Sequence, residues 1–493
     1  MYYPSFKEFK EKAKKGNLIP VYREILADME TPVSAFRKID EGKYSFLLES
    51  VEGGEKWGRY SFLGTNPSVI FRSKGTNAEI IRNGRVEIIK DISDPLEPLK
   101  KLIKKYTPVE FEGLPRFYGG AVGYLGYDMV RFFELLPDTS KDELDLYDSF
   151  FLITDTLLIF DNVNHKIKIV SNAHLEEDLT IKGAYEQAIR KIEQIIKKLQ
   201  KPLSTSPKVK RRVNLKLRSN FTKEEFQKIV KKGKKYVREG EIIQVVLSQR
   251  LQANKMGIDN FDLYRALRII NPSPYMFYLY LGEHVLVGSS PEVLVRLEGQ
   301  KIELRPIAGT RPRGRDEQDD RRLEKELLMD PKERAEHVML VDLGRNDVGR
   351  VARIGSVKVN EQMVIERYSH VMHIVSNIQG ILQKGKDAFS VLRAAFPAGT
   401  VTGAPKIRAM EIIEELEGTK RGPYAGSVGY FSFSGNMDMC ITIRTIIIKG
   451  DRIYLQAGAG IVADSRPEKE YWETINKTKA LVKAVEMARN GLI

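Results

Sequence analysis

Apolar positions along the chain fall mostly into short runs closed by glycine, asparagine or proline, and only a few stretches carry a helical period. The first strong strand signal is Tyr44-Ser45-Phe46-Leu47-Leu48-Glu49-Ser50, an apolar run with a polar end. Val51-Glu52-Gly53-Gly54-Glu55 then reads as a turn, and strands are expected at 60–64, 68–71, 78–81 and 86–89. Further strands are expected at about 151–160 and 166–171, with helices over 5–14, about 19–29, 95–105 and 176–200. In the second half, Thr222 and Glu225 form a capping box ahead of a helix with Phe226, Ile229, Val230 and Val237 on one face. Strand patterns recur at 242–252, 275–281, 284–287, 292–297 and 301–304, helical ones at 319–341 and 386–395, and strands again at 425–433, 439–448 and 452–457. Mixed strands without regular βαβ alternation predict an α+β fold, a large mixed or antiparallel β-sheet core with packed helices.

Residues 201–219 hold Pro202, Ser204, Thr205, Ser206 and Pro207 among charges and read as a linker. They divide a sheet-rich N-terminal region, 1–200, from a region spanning 220–493. Composition adds little to this picture but removes alternatives. Apolar residues at 42% and charged residues at 30% describe a globular protein able to bury a large core. The apolar run from Phe150 to Phe160 is interrupted by Asp155 and Thr156 and is too short to span a bilayer. No signal segment is visible, so a cytoplasmic, soluble protein without a membrane partner is expected. A single cysteine, Cys440, excludes an internal disulfide framework. The net charge of +14 is mostly interspersed with acidic residues; its densest cluster, Lys208, Lys210, Arg211 and Arg212, lacks any nucleic-acid module around it, so no nucleic acid is expected.

Chemistry concentrates in a few places. Glu333 and Glu336 share a helical face, and Glu470 and Glu473 repeat the spacing near the C-terminus. Such pairs are either solvated surface carboxylates or oxygen donors for a hard cation such as Mg²⁺, which relieves their repulsion. Just before the second pair, Gln456-Ala457-Gly458-Ala459-Gly460 reads as a glycine-rich turn whose amides can approach an anion closely. Lys406, after Gly403-Ala404-Pro405, opens a helix whose N-terminal amides could serve the same end. Arg444, inside an expected apolar strand, requires an internal salt bridge or a bound carboxylate. His370 and His373 are either packing histidines or proton carriers.

These residues, with Gly288-Ser289-Ser290-Pro291-Glu292, Arg305-Pro306-Ile307-Ala308-Gly309-Thr310-Arg311-Pro312 and Asp342-Leu343-Gly344-Arg345-Asn346-Asp347, strongly resemble component I of the anthranilate synthases, within the chorismate-utilising enzymes. The resemblance covers most of the chain and is densest over 240–480. It implies a core that binds Mg²⁺ and chorismate. Glu336 and Glu473 match the leading metal ligands, and Glu333 and Glu470 act through water or charge. Thr400, Tyr424, Arg444, Gly458, Gly460 and, less directly, Lys406 match the substrate-binding groups. His373 matches the histidine tied to pyruvate elimination, and Glu336 and Glu473 are further proton-transfer candidates.

Two positions discriminate among the relatives. Those that add water carry a lysine base where this chain has Gln244, and an amide suits an incoming amine better. Those that make the 4-amino isomer use a lysine nucleophile where this chain has Ala308. The resemblance thus implies ammonia addition to chorismate, then release of pyruvate to give anthranilate, the first step from chorismate toward tryptophan. Glu49, Ser50, Pro274, Tyr275 and Met276 match a tryptophan pocket for feedback inhibition. No amidotransferase motif surrounds Cys440, so a separate glutamine amidotransferase subunit (component II) is expected to supply ammonia, in a heterodimer or heterotetramer.

Overall fold

The computed structural model describes residues 1–51, 58–176, 179–203, 215–368 and 371–492. Two twelve-stranded sheets form four layers with the helices. The alternation of side chains along each strand builds the layers. In Tyr275–Tyr280, Phe277 and Leu279 enter an apolar layer shared with Val122, Tyr124, Val428 and Cys440 of the second sheet, while Met276 and Tyr278 face helices. Helices Pro32–Ile39, Ile181–Leu199, Asn260–Ile270 and Pro467–Arg489 cover the outer face of the first sheet. Leu96–Lys104, Pro331–Gly349 and Ala388–Ala395 cover the second. The α+β expectation is met.

Both sheets draw strands from either side of residues 201–219. In the first, Ser45–Glu49 pairs with Tyr275–Tyr280; in the second, Gly120–Leu125 pairs with Ser427–Ser432. The N-terminal and C-terminal regions therefore share their cores.

Several elements depart from the sequence expectation. Leu18–Leu26 is a strand, where a helix over 19–29 was expected: its apolar residues pair along the whole length of Lys166–His174. The expected strand 151–160 is two strands, Ser149–Thr154 and Thr156–Asp161, which lie in different sheets and hinge at Asp155. The expected strand 439–448 also splits, into Met437–Ile441 of the second sheet and Thr445–Lys449 of the first. Helical periodicity over 319–341 hides a break: Asp330 caps the helix Pro331–Gly349, and Pro331 stops the preceding helix Glu317–Met329 from running on. Strands Ile307–Pro312, Lys358–Arg367 and Val371–Ile381 lay outside the expectation altogether. The capping box at Thr222 and Glu225 is present, and opens Lys223–Arg238. Glu52 to Glu55, the basic cluster Lys208 to Arg212 and His370 lie outside the described residues. Among the described residues no helix is long and apolar enough to cross a membrane.

Candidate active site

The chain passes between the two sheets at two neighbouring points, and each carries a charged side chain. Ser290 ends a strand of the first sheet and Val293 begins one of the second, with Pro291 and Glu292 between. Ile441 and Thr445 mark the return, with Arg444 between. Backbone hydrogen bonds tie the crossings together: Ile441 N donates to Glu292 O at 3.0 Å, and Ser289 N to Arg444 O at 3.2 Å. Arg444 is thus outside a regular strand, with φ +51°, a left-handed conformation that a non-glycine residue adopts at a cost. Its Nη1 donates to Lys477 O at 3.2 Å, and among the described residues it forms no salt bridge. Burial pulls its guanidinium down from the ordinary range, and nearby Tyr424 and Glu473 oppose this. The sequence left a choice between an internal salt bridge and a bound carboxylate; the charge remains available to the second.

Gly458 and Gly460 belong to the strand Arg452–Ile461 and not to a turn. They keep the strand surface low. A Cβ at Gly458 would lie 2.9 Å from Tyr424 Oη, and one at Gly460 would lie 2.4 Å from Gln244 Nε2. The adjacent strand Gln244–Asn254 sets Val246 opposite Gly460 and Ser248 opposite Gly458. Gln244 is buried; its Nε2 donates to Glu336 Oε1 at 3.4 Å, while Oε1 has no partner among the described residues. An orphaned buried acceptor is costly and points to a donor that arrives with a ligand.

The acidic pairs stand on Pro331–Gly349 and Pro467–Arg489. Burial, then the charge of Glu333, raises the Glu336 carboxyl, and burial likewise raises Glu470 despite the Ser465 hydroxyl. The two faces confront each other. Lys332 acts on both Glu336 and Glu470, and Lys477 on Glu336 while pairing with Glu473 at 2.7 Å. Arg311 Nη1 approaches Glu333 Oε1 to 3.4 Å. Among the described residues no three carboxylates or histidines gather closely enough to form a ready metal cage. The donor set is nonetheless all oxygen, and Glu336 is raised by its neighbour's negative charge. Both features suit Mg²⁺, which keeps waters and needs few carboxylates.

His373 lies on Val371–Ile381 opposite Thr310. Its Nδ1 is 3.0 Å from Gly309 O and 3.0 Å from Thr310 Oγ1. A carbonyl can only accept, so Nδ1 carries the proton and Nε2 is left as the basic nitrogen. Burial lowers the imidazole's pKa and keeps it neutral, the Gly309 carbonyl opposing. Gly309 also joins His373 to the acidic pairs: a Cβ there would lie 3.2 Å from Glu333 Oε2.

Lys406 is elsewhere. It opens the helix Lys406–Glu417 as expected, but its Nζ pairs with buried Asp347 at 2.8 Å. Two residues without an assigned role in the sequence reading belong to the site. Lys477 Nζ also donates to Gly458 O at 2.8 Å, so one ammonium bridges the glycine strand and Glu473. Its i,i+4 spacing from Glu473 was a readable but unspecific signal. Glu292 is buried, and burial pushes its carboxyl up to about 8, opposed in part by the Thr400 hydroxyl and the Ile307 amide. Only its place in Gly288-Ser289-Ser290-Pro291-Glu292 could have singled it out.

A second cavity lies between the sheets. Glu49, Ser50, Pro274, Tyr275 and Met276 all line it, together with Arg116, Arg296 and Asp438. Met276 sits opposite Glu49 in the ladder. Glu49 accepts from the Tyr264 hydroxyl and from Arg268 Nε, the latter at 3.1 Å.

Comparison with known proteins places this arrangement. The family model for chorismate binding enzymes matches residues 45–483. Anthranilate synthase component 1 of Aquifex aeolicus (strain VF5) is 53% identical over 490 residues, covering 99% of this chain and 98% of that protein. The corresponding protein of Acetivibrio thermocellus is 51% identical over 499 residues, covering 99% of each. Among solved structures, anthranilate synthase component I from Streptococcus pneumoniae TIGR4 superposes with a TM-score of 0.78 at 36% identity, covering 93% of this chain and 99% of that one. The chain belongs to the chorismate-utilising enzymes, as a homologue of anthranilate synthase component I.

Proposed function

We propose that the chain converts chorismate and ammonia to anthranilate and pyruvate. The observation that carries this reading is Gln244: a buried amide hydrogen-bonded to Glu336 through Nε2, with Oε1 left open. An amide is a poor base for activating water, but its oxygen accepts an N–H from ammonia. Ala308 is buried beside Gly309 and offers only a methyl group, which disfavours a lysine-type nucleophilic route to a 4-amino isomer.

The two ring-flanking ends of chorismate are carboxylate-bearing. Arg444, Tyr424, Thr400 and the amides around Gly458 and Gly460 are suited to orient them. Lys406, tied to Asp347, is not among them. Glu336 and Glu473 would hold Mg²⁺, with Glu333 and Glu470 acting through water or charge, and the ion supplies a template and Lewis acid for a carboxylate. Gln244 steers ammonia to ring C2. A new C–N bond forms there, the ring double bonds shift, the C4 hydroxyl takes the proton held by Glu292 and leaves as water, and the ammonium formed at C2 gives up one proton, which restores the Glu292 carboxyl. His373 Nε2 then removes the C2 proton; the C3–O bond breaks, the ring becomes aromatic, and the enolpyruvyl group leaves as enolpyruvate and becomes pyruvate.

Cys440, the one cysteine, is buried, and burial pushes its thiol up; it is poorly suited to glutamine hydrolysis. A separate glutamine amidotransferase subunit is the matching ammonia source. The second cavity is suited to tryptophan as a feedback inhibitor.

The test is incubation of the full chain with chorismate, Mg²⁺ and ammonium at alkaline pH. Blue anthranilate fluorescence is the expected result; a 4-amino product or isochorismate would overturn the reading.

A further inference from the structure

Behind the proposed pocket lies a charged pair that is bonded neither to the four site glutamates nor to His373. Arg421 is 1% exposed and Glu417 5%. The guanidinium donates to Glu417 through Nε at 2.9 Å and Nη2 at 2.6 Å, to Val401 O at 2.7 Å and to Val246 O at 2.8 Å. Glu417 Oε1 in turn accepts from Ser248 N at 2.7 Å and Ser248 Oγ at 2.9 Å. The Arg421 guanidinium also lies 4.7 Å from the Tyr127 ring centroid and 5.6 Å from that of Tyr424.

The arrangement answers an accounting problem in the sheet. The strand Gln244–Asn254 is covered on one side by Arg452–Ile461 from Val245 to Asn254. On its other side, Gly403–Ala404 pairs only with Gln244 and Val245, and the next partner, Arg218–Ser219, pairs only with Leu251 and Gln252. Between them the strand edge is open and buried, where unpaired backbone groups are costly. Val246 N reaches Thr402 O at 2.8 Å; Val246 O and Ser248 N go to Arg421 and Glu417. At Val246 and Ser248 two side chains stand in for a missing strand, and Asn220 answers Arg250 further along.

We propose that Glu417 and Arg421 are positioning residues that lock three parts of the pocket into one rigid body: the Gln244 strand, the Thr400 segment and the Tyr424 ring. An apolar pair could fill the same volume at equal or better stability, since a buried ion pair is weak evidence for stability. It could not hold two carbonyls and an amide in one plane, which a guanidinium fork facing a carboxylate does. The inference rests on the reading of Gln244, Thr400 and Tyr424 as substrate-facing groups.

The test uses the full chain carrying Arg421→Lys, and separately Arg421→Met with Glu417→Leu, an apolar replacement chosen to keep the fold if the lysine variant does not. Amide hydrogen exchange at Val246, Ser248 and residues 399–403 is expected to quicken by about tenfold or more in both, while Tyr275–Tyr280 is unchanged. The KM for chorismate is expected to rise about tenfold with kcat falling much less, because binding groups are displaced while His373 and the carboxylates stay. Unchanged local exchange, or a wild-type KM in the apolar variant, would overturn the proposal. If the wild-type chain formed no anthranilate, the functional reading would fail, yet the exchange data would still decide whether the pair braces this edge.

Discussion

At the scale of single residues, protonation state is the property that matters most. His373 donates Nδ1–H to the Gly309 carbonyl, which leaves Nε2 free to take a proton. Replacing it with alanine is expected to stop pyruvate release by two orders of magnitude or so while amination continues. Chromatography should then detect an aminated, non-aromatic intermediate; equal loss of both steps would contradict the assignment. Glu292 makes a prediction about pH. Its folded pKa of about 8 is above the ordinary carboxylate value, so the folded chain binds a proton that the unfolded chain releases. Stability from this group is therefore present at low pH and is lost as pH rises through the ordinary carboxylate range toward 8. Denaturant unfolding between pH 5 and 8 should show the wild type losing more stability than Glu292→Gln, and parallel curves would contradict the protonated carboxyl. The sequence revealed the acids, Arg444 and His373 as residue types in suggestive spacing. It could not show that Lys406 is spent on Asp347, because ion pairing between positions 59 apart depends on the fold.

At the scale of elements, the errors and the chemistry coincide. Asp155 and Arg444 both interrupt an apolar run at the point where the chain changes sheet. Apolar residues resume at once on the far side of such a crossing because both sheets bury them, although Asp155, Thr156, Ile443 and Arg444 are themselves only half-buried. The glycines at 458 and 460 were misread for a related reason. Glycine signals a turn locally, but here it serves close approach across a sheet. Gly460→Ala tests that reading: its Cβ would meet Gln244 Nε2 at 2.4 Å, and the amide must shift. The expected outcome is a raised KM for ammonium by about tenfold, with melting temperature nearly unchanged. An unaltered ammonium dependence would show that Gln244 does not guide the nucleophile. The strands Ile307–Pro312 and Val371–Ile381 were missed even though their residues were recognised, since their motifs carry polar groups that mask strand alternation.

At the scale of the whole molecule, the two sheets place the second cavity and the candidate active site within one continuous framework. Residues near position 50 and near position 275 become neighbours only through the ladder that joins the two halves of the chain. The α+β class was legible from the mixture of short strands and amphipathic helices, but the sharing of each sheet by both halves was not, since register across 200 residues leaves no local trace. If the cavity takes tryptophan, Ser50→Phe should fill it and relieve inhibition while catalysis in tryptophan-free buffer is kept. Inhibition curves would check this, and an unchanged curve would remove Ser50 from the effector site.

The most direct test of the central claim follows the nitrogen itself. The chain is incubated with chorismate, Mg²⁺ and ¹⁵N-ammonium, the aromatic product is examined by NMR, and pyruvate is assayed in the same tube, with a chelator-treated control. The account predicts label ortho to the ring carboxylate, pyruvate equimolar with that product, and loss of both on removal of the metal. Label para to the carboxylate, or an aromatic product without pyruvate, would contradict it.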